Sequence, residues 1–333
     1  MKFKIAKRKL KIPILDFKFC GLSLFLFAIC YLLFAIITVV PAAQAQTFSL
    51  SISPPLLELM IMPGKSYTQI YSLTNSGQTL TLTPSISAFA PDGPKGNLKF
   101  TSQPDASQAL SFTFADSRLQ LNQPFVLEAK ETKEISLKIT ASPTAPEKDY
   151  YFTLLFSSRP AGGRTNTGSQ AAGVIGTNIL ITVSQNGQPV KKGEIEEFKL
   201  TNCYIQNLLG WCLLDSFSQP KYAIRLKNTG KTFWKPFGQI TTKGLFNQEW
   251  QNELRPDNIL AFSEREISLA TPSAQPSFLI GSYRTSLEFQ TDQEGEKISK
   301  TLVFFSLPVK GITALLLIAV LFKIIGSKIK SAS

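Results

Sequence analysis

Leu80-Thr-Leu-Thr-Pro-Ser-Ile-Ser-Ala88 sets its apolar residues and Pro84 on one parity and threonine or serine on the other. Side chains of an extended strand alternate between two faces, so this is a strand with one face on a core. Pro84 has no amide hydrogen, which predicts an edge or a bulge there. The same period of two recurs at Leu110/Phe112/Phe114, Ile135/Leu137/Ile139, Tyr150/Phe152/Leu154/Phe156 and Ile179/Ile181/Val183. Turn signals separate them: Pro63-Gly64, Asn75-Ser-Gly77, Pro91-Asp-Gly93-Pro94, Asn122-Gln-Pro124 and the glycine-rich Ala161–Gly173. Short strands at this spacing, with no amphipathic helices between them, predict an all-β antiparallel sandwich.

Asn186-Gly-Gln-Pro189 and Lys191-Lys-Gly193 form a polar break, after which strands resume at Tyr222/Ile224/Leu226, Gly281–Phe289 and Ile298–Phe305. Leu73-Thr-Asn75-Ser-Gly77-Gln-Thr79 and Leu226-Lys-Asn228-Thr-Gly230-Lys-Thr232 share the form L-x-N-x-G-x-T. Each is expected to end one strand and turn through a glycine at positive φ. The expected architecture is two tandem immunoglobulin-like β-sandwich domains, 46–186 and 187–305.

Apolar runs flank this region. Gly21–Val40 carries no charge and is long enough, at about 1.5 Å per residue, to cross a hydrocarbon core of about 30 Å. Seven cations precede it against the single anion Asp16, which places the following chain outside the cytoplasm. Ala43-Gln44-Ala45 offers a signal-peptidase site, so residues 1–45 are either a cleaved signal peptide or an uncleaved signal anchor. A second apolar run, Ile312–Phe322, extends to Leu307–Ile325 if Lys310 and Lys323 snorkel. Residues 306–326 are thus expected to be a transmembrane helix and 327–333, with Lys328 and Lys330, a cytoplasmic basic tail. The expected localisation is the cell membrane, with the bulk of the chain extracytoplasmic and the lipid bilayer as a partner.

The net charge of +12 belongs largely to these flanks, which argues for topology and against nucleic acid. The chain has no histidine, which removes Ser-His-Asp and Cys-His nucleophile arrangements and the commonest zinc ligand. No phosphate loop, HExxH or Cys-x-x-Cys spacing occurs, and no cofactor, metal or small-molecule substrate is expected. Cys203 and Cys212 either close a small structural disulfide loop around Gly210 or remain buried thiols. Glu194, Glu196 and Glu197 lie beside Lys191, Lys192 and Lys199 and read as a solvated charged face. Asp92, Asp215 and Asp292 read as turn-capping residues. Phe233, Trp234 and Phe237, with Phe246 and Trp250 beyond them, are candidates to anchor a partner or stack on sugar, or else to fill the second core.

Ser53-Pro-Pro55-Leu-Leu-Glu58, Met62-Pro-Gly64-Lys and Leu73-Thr-Asn75 together resemble the opening of the peptidoglycan-binding domain of WxL-interacting cell-surface proteins. Asp92-Gly93, Gly96-Asn-Leu98 and Gly173–Ile181 look like its later turn and last strand. Asn228-Thr-Gly230, Lys235-Pro236, Gly238-Gln-Ile240 and Gly281-Ser-Tyr283 are similar to the host-binding domain of that family. The resemblance implies a bacterial cell-envelope protein, anchored at the membrane, that binds peptidoglycan or a surface protein as a non-catalytic adhesion or scaffold element. Two alternatives stand beside it. A membrane-bound glycan-processing enzyme needs two nearby carboxylates in a cleft, one with a raised pKa. A chaperone-like subunit of a secretion or pilus system needs a long, unpaired hydrophobic edge groove.

Overall fold

The computed structural model describes residues 49–101, 108–160, 173–208, 211–245, 248–270, 275–292 and 294–332, together with Ile29 and Tyr31. The chain divides into two compact units, Met1–Thr47 and Phe48–Ser333. Apart from Ile29 and Tyr31, the leader with its apolar run and its Ala43–Ala45 site lies outside the described residues, as do Phe246 and residues 161–172.

Period-two sequence becomes strand throughout the second unit. In its first half, β1 (Leu50–Ser53), β3 (Ser66–Asn75), β8 (Thr132–Ala141) and β6 (Leu110–Phe114) form a four-stranded sheet in that order. The facing sheet runs β2 (Leu56–Ile61), β10 (Val174–Val183), β9 (Asp149–Pro160), β4 (Leu80–Asp92) and β5 (Asn97–Thr101), with β7 (Phe125–Leu127) also on β4. One apolar core lies between them, built from Tyr71, Leu73, Ile135, Leu137 and Ile139 on one side and Leu82, Leu154, Phe156, Ile179 and Ile181 on the other. This strand order is that of an immunoglobulin-type sandwich in which the first strand is divided between the two sheets. The division falls at Pro54-Pro55: β1 pairs with β3, and β2 crosses to pair in parallel with β10.

The second half repeats the plan. β11 (Gly193–Leu200), β14 (Tyr222–Asn228) and β17 (Glu264–Glu266) form one sheet. The other runs β12 (Ile205–Leu208), β13 (Trp211–Asp215), β19 (Ile298–Leu307), β18 (Gly281–Gln290), β15 (Phe237–Gly244) and β16 (Glu249–Glu253). Again the early strand divides: β11 stays with β14, while β13 pairs in parallel with β19. The Cys203–Cys212 disulfide, with its Cα atoms 5.4 Å apart, ties the β12–β13 hairpin inserted at that crossing.

The repeated L-x-N-x-G-x-T segments occupy matching places, after β3 and after β14. Asn75 and Asn228 are fully buried. Each carboxamide oxygen accepts the amide two residues on, from Gly77 at 2.9 Å and Gly230 at 2.8 Å. Asn75 Nδ2 donates to the Gln78, Leu127 and Glu128 carbonyls, and Asn228 Nδ2 to those of Thr232 and Ile259. Neither glycine takes a positive φ, which corrects the expected turn. The asparagine side chain makes the bend, and at Gly230 a Cβ would sit 3.1 Å from the Lys192 amide nitrogen.

Pro84 lies where the far side of β4 is left between β7 and β5. Its carbonyl faces that side, accepting the Asn122 amide at 2.7 Å. Its missing N–H therefore removes no bond to β9.

The membrane expectation is corrected. Among the described residues no helix is long and apolar enough to cross a membrane. The helix α1 (Val309–Ala332) has Lys310 and Lys323 in its sequence, and the stretch between them, Gly311–Phe322, rises only about 18 Å against the roughly 30 Å of a hydrocarbon core. The proposed span 306–326 also begins in the wrong element, since Ser306 is buried in β19 and Leu307 pairs with Asp215. The buried Asp215 carboxylate accepts the amides of Lys310 at 3.0 Å and Phe217 at 3.2 Å, tying the start of α1 to β13. The Lys310 bond holds the Asp215 carboxyl below the usual carboxylate range. The localisation at the cell membrane, with lipid as partner, is accordingly withdrawn.

Candidate docking edge and sandwich junction

Dividing the first strand leaves part of β10 uncovered. β2 pairs with Asn178–Val183, so Val174–Thr177 has β9 on one side and no strand on the other among the described residues. The ladder stops for a covalent reason: the residues that would continue β2 are Pro54 and Pro55, which carry no amide hydrogen. Gly173 faces β9, its carbonyl accepting the Ser158 amide at 2.8 Å, and Asn178 faces β2, donating to the Pro55 carbonyl at 3.2 Å. By strand alternation the N–H and C=O groups of Val174 and Gly176 point away from β9, toward the open side. Val174 is 62% exposed. Leu50 and Ile52 of β1 and Ile175 of β10 are only partly buried and pack on the core beside this gap. Among the described residues the backbone of Val174 and Gly176 thus has no strand partner on this side, whereas the buried Thr177 hydroxyl donates to the Pro54 carbonyl at 2.8 Å.

The outer face of the β2–β10–β9–β4 sheet carries Glu58, Leu180 and Tyr151 in register, with Phe89 of β4 against Tyr151. Phe89 and Tyr151 stack at 5.7 Å, and with Leu180 they enclose Leu260, Phe233 and Ala261 of the second sandwich. Asp149, one pair further along β9, is buried. Its carboxylate accepts Tyr151 Oη at 2.7 Å, Thr182 Oγ1 at 2.7 Å and the Phe233 amide at 2.5 Å. Burial pushes the Asp149 carboxyl above its ordinary range, against the pull of those three donors. Tyr151 Oη in turn accepts the Ala261 amide at 2.8 Å. At the rim, Glu58 bonds Lys235 at 2.8 Å and the Asn258 amide nitrogen at 2.5 Å. Polar and apolar contacts together thus join the two sandwiches in one unit.

The aromatic candidates separate. Trp234 is 1% exposed, stacks on Phe289 at 5.7 Å and donates Nε1–H to the Lys192 carbonyl at 3.1 Å, so it is core and offers a partner nothing. Phe233 belongs to the junction cluster, and Phe237, at the start of β15, is 42% exposed. Trp250 is buried beside Tyr283. Glu194 and Glu196 meet Lys227 at 2.9 and 3.6 Å, and Glu197 meets Lys199 at 2.5 Å and Arg225 at 3.4 Å. Lys191 pairs instead with Asp292 at 2.9 Å.

A cavity of about 530 Å³ lies over this charged sheet, lined by Lys95, Glu197, Tyr222 and Glu266 among others. Its Glu197 carboxyl is held below the usual range by Lys199, the reverse of what a general acid needs. The raised carboxyl, Asp149, is enclosed at the junction with its oxygens already engaged.

The sequence missed Asp149, Pro55 as a ladder terminator, and the junction itself. Two signals were present: a carboxylate at the head of an otherwise apolar strand, and a Pro-Pro pair between two strand-like runs.

No protein-family model matches the sequence, and no curated protein does. Solved structures with similar chains include the class 5 fimbriae chaperone CfaA (13% identity, 78% of this chain and 100% of that one, TM-score 0.38). Another is the chaperone–tip adhesion subunit pre-assembly complex CsuC–CsuE from the archaic Csu pili of Acinetobacter baumannii (11% identity, 78% and 99% coverage, TM-score 0.34). The PapD-like domain 7 of human CEP192 covers 44% of this chain and 93% of its own at 11% identity and TM-score 0.28.

Proposed function

We propose that this chain is a non-catalytic docking protein that holds an extended segment of another protein by strand addition at β10, in the manner of an assembly chaperone or scaffold. The observation that carries this reading is that Val174 and Gly176 have no strand partner on the side away from β9 among the described residues. An incoming strand would extend the line of β2, pair its main chain with β10 and turn alternate side chains toward the first core. The junction supports the role by fixing the second sandwich against the outer face of the same sheet. The resemblance to WxL-interacting proteins points to a surface protein as the partner. A glycan-processing role gains nothing from the Glu197 carboxyl in the cavity over the charged sheet, which Lys199 holds below its usual range.

A Val174→Pro variant tests the reading. Its lost N–H points to the open side, so the β9 ladder and the fold are kept. With p-benzoylphenylalanine at position 174, irradiation in the native host is expected to give a protein adduct mapping to one extended segment, and the proline variant to lose copurification of that protein. Adducts scattered over unrelated proteins, or unchanged copurification by the proline variant, would exclude docking at this edge.

A further inference from the structure

A cavity separate from the β10 edge lies where the linker meets the second sandwich. The turn Leu260–Ser263 is closed by the Ser263 amide on the Leu260 carbonyl at 3.2 Å and by Ser263 Oγ on the same carbonyl at 2.8 Å. Its third residue, Phe262, sits at φ 54°, a left-handed conformation that suits glycine or asparagine and strains a bulky side chain. The ring gains little packing in return, since Phe262 is 70% exposed. A strained, solvent-facing aromatic is a poor choice for stability alone.

Phe262 lines a cavity of about 500 Å³ together with Val183, Pro189, Val190, Lys192, Lys231 and Glu147. Val190 is 71% exposed, so the mouth presents two uncovered apolar side chains beside Pro189. Lys192 and Lys231 have no ion pair among the described residues. Glu147 already accepts the Gln185 amide through one oxygen at 3.0 Å. The lining is therefore apolar with a flank of two lysines against one carboxylate, net positive, at the kind of interdomain position where ligand sites form.

We propose that this cavity binds an acidic peptide segment, seating one apolar side chain against Phe262 and Val190 and placing a neighbouring carboxylate against Lys192 and Lys231. The charge complementarity selects the acidic partner, and the aliphatic and aromatic rim selects a side chain over a sugar face.

The test uses the purified full chain and a fluorescein-labelled, end-blocked peptide Glu-Leu-Asp-Phe, read by anisotropy, beside a control with lysine at both acidic positions. The acidic peptide is expected to bind at least about tenfold more tightly than the basic one. Phe262→Gly is expected to weaken it by about tenfold while keeping or raising the melting temperature, because glycine relieves the strained φ. Lys192→Glu with Lys231→Glu should reverse the preference, and Val174→Pro should leave it unchanged, which separates this site from the β10 edge. Equal binding of the two peptides, full affinity in Phe262→Gly, a lowered melting temperature in that variant, displacement by glucuronic acid, or loss of binding in Val174→Pro would each overturn the assignment.

Discussion

Replacing Asp149 separates the polar fastening of the junction from its apolar packing. In Asp149→Ala the Phe233 amide loses its acceptor and has no rotational freedom to find another, whereas the hydroxyls of Tyr151 and Thr182 can turn. An orphaned buried donor costs about 1–3 kcal/mol, and the two lost charge-assisted hydroxyl bonds add to it, less the relief of carboxylate desolvation; the expected loss is about 2–4 kcal/mol. Asp149→Asn behaves differently. Its Oδ1 accepts Tyr151 and the Phe233 amide, and its Nδ2 donates to Thr182 Oγ1, so the network survives without a buried charge.

The pH dependence follows from the raised carboxyl. Between the ordinary and the folded pKa the native state binds the extra proton, so this group's contribution falls as pH rises through that window and returns on acidification. The asparagine variant should lack that slope. The three tryptophans, Trp211, Trp234 and Trp250, all follow the linker, so intrinsic fluorescence during urea unfolding reports the second sandwich. An alanine variant within about 0.5 kcal/mol of the parent, or an asparagine variant as damaged as alanine, would refute the reasoning.

Other perturbations have equally definite outcomes. Asn228→Ala takes the bonding side chain from the Gly230 amide and the Thr232 carbonyl, while the Ile259 carbonyl keeps the Trp234 amide, and urea titration should show a loss of about 1–3 kcal/mol in the second sandwich, with a loss of the same order for Asn75→Ala in the first. Trp234→Ala should cost about 3–5 kcal/mol as a core cavity, measured by thermal unfolding, and an unchanged melting temperature would contradict its burial. Cys203→Ala with Cys212→Ala opens a short loop and should lower stability by about 2–3 kcal/mol under oxidising conditions, with no effect once both proteins are reduced. Asp215 is favoured as its anion, so its contribution is present above the ordinary carboxylate pKa and is lost as pH falls through the lower folded value; Asp215→Asn should flatten the acid limb of stability and loosen the start of α1 in amide exchange.

Much of the sandwich could be read from alternation alone, because a half-buried strand must alternate. Leu80–Ala88, Tyr150–Phe156 and Ile179–Val183 all face the core with the residues their parity assigns. The paired L-x-N-x-G-x-T segments lie at matching places in the two halves, although the bend came from asparagine hydrogen bonds that a glycine-centred view overlooks. Pairing between strands was not legible: nothing local tells Leu56–Ile61 to leave the sheet of β1 for β10. Residues defined by what lies across a junction were also hidden. Asp149 and Phe233 are 84 positions apart, and Phe262 is unremarkable until its φ is known. The C-terminal apolar run suggested a bilayer through its composition, but the run between its two lysines is short and its first residues belong to β19.

Amide hydrogen exchange at Val174 and Gly176 tests the docking account most directly. In the free chain both N–H groups face the open side and should exchange rapidly, while Asn178, bonded to Pro55, is protected. In complex with the partner identified by crosslinking, both should slow by about tenfold or more as an added strand takes them up. Protection already present in the free chain, or rapid exchange that persists in the complex, would contradict docking by strand addition at β10.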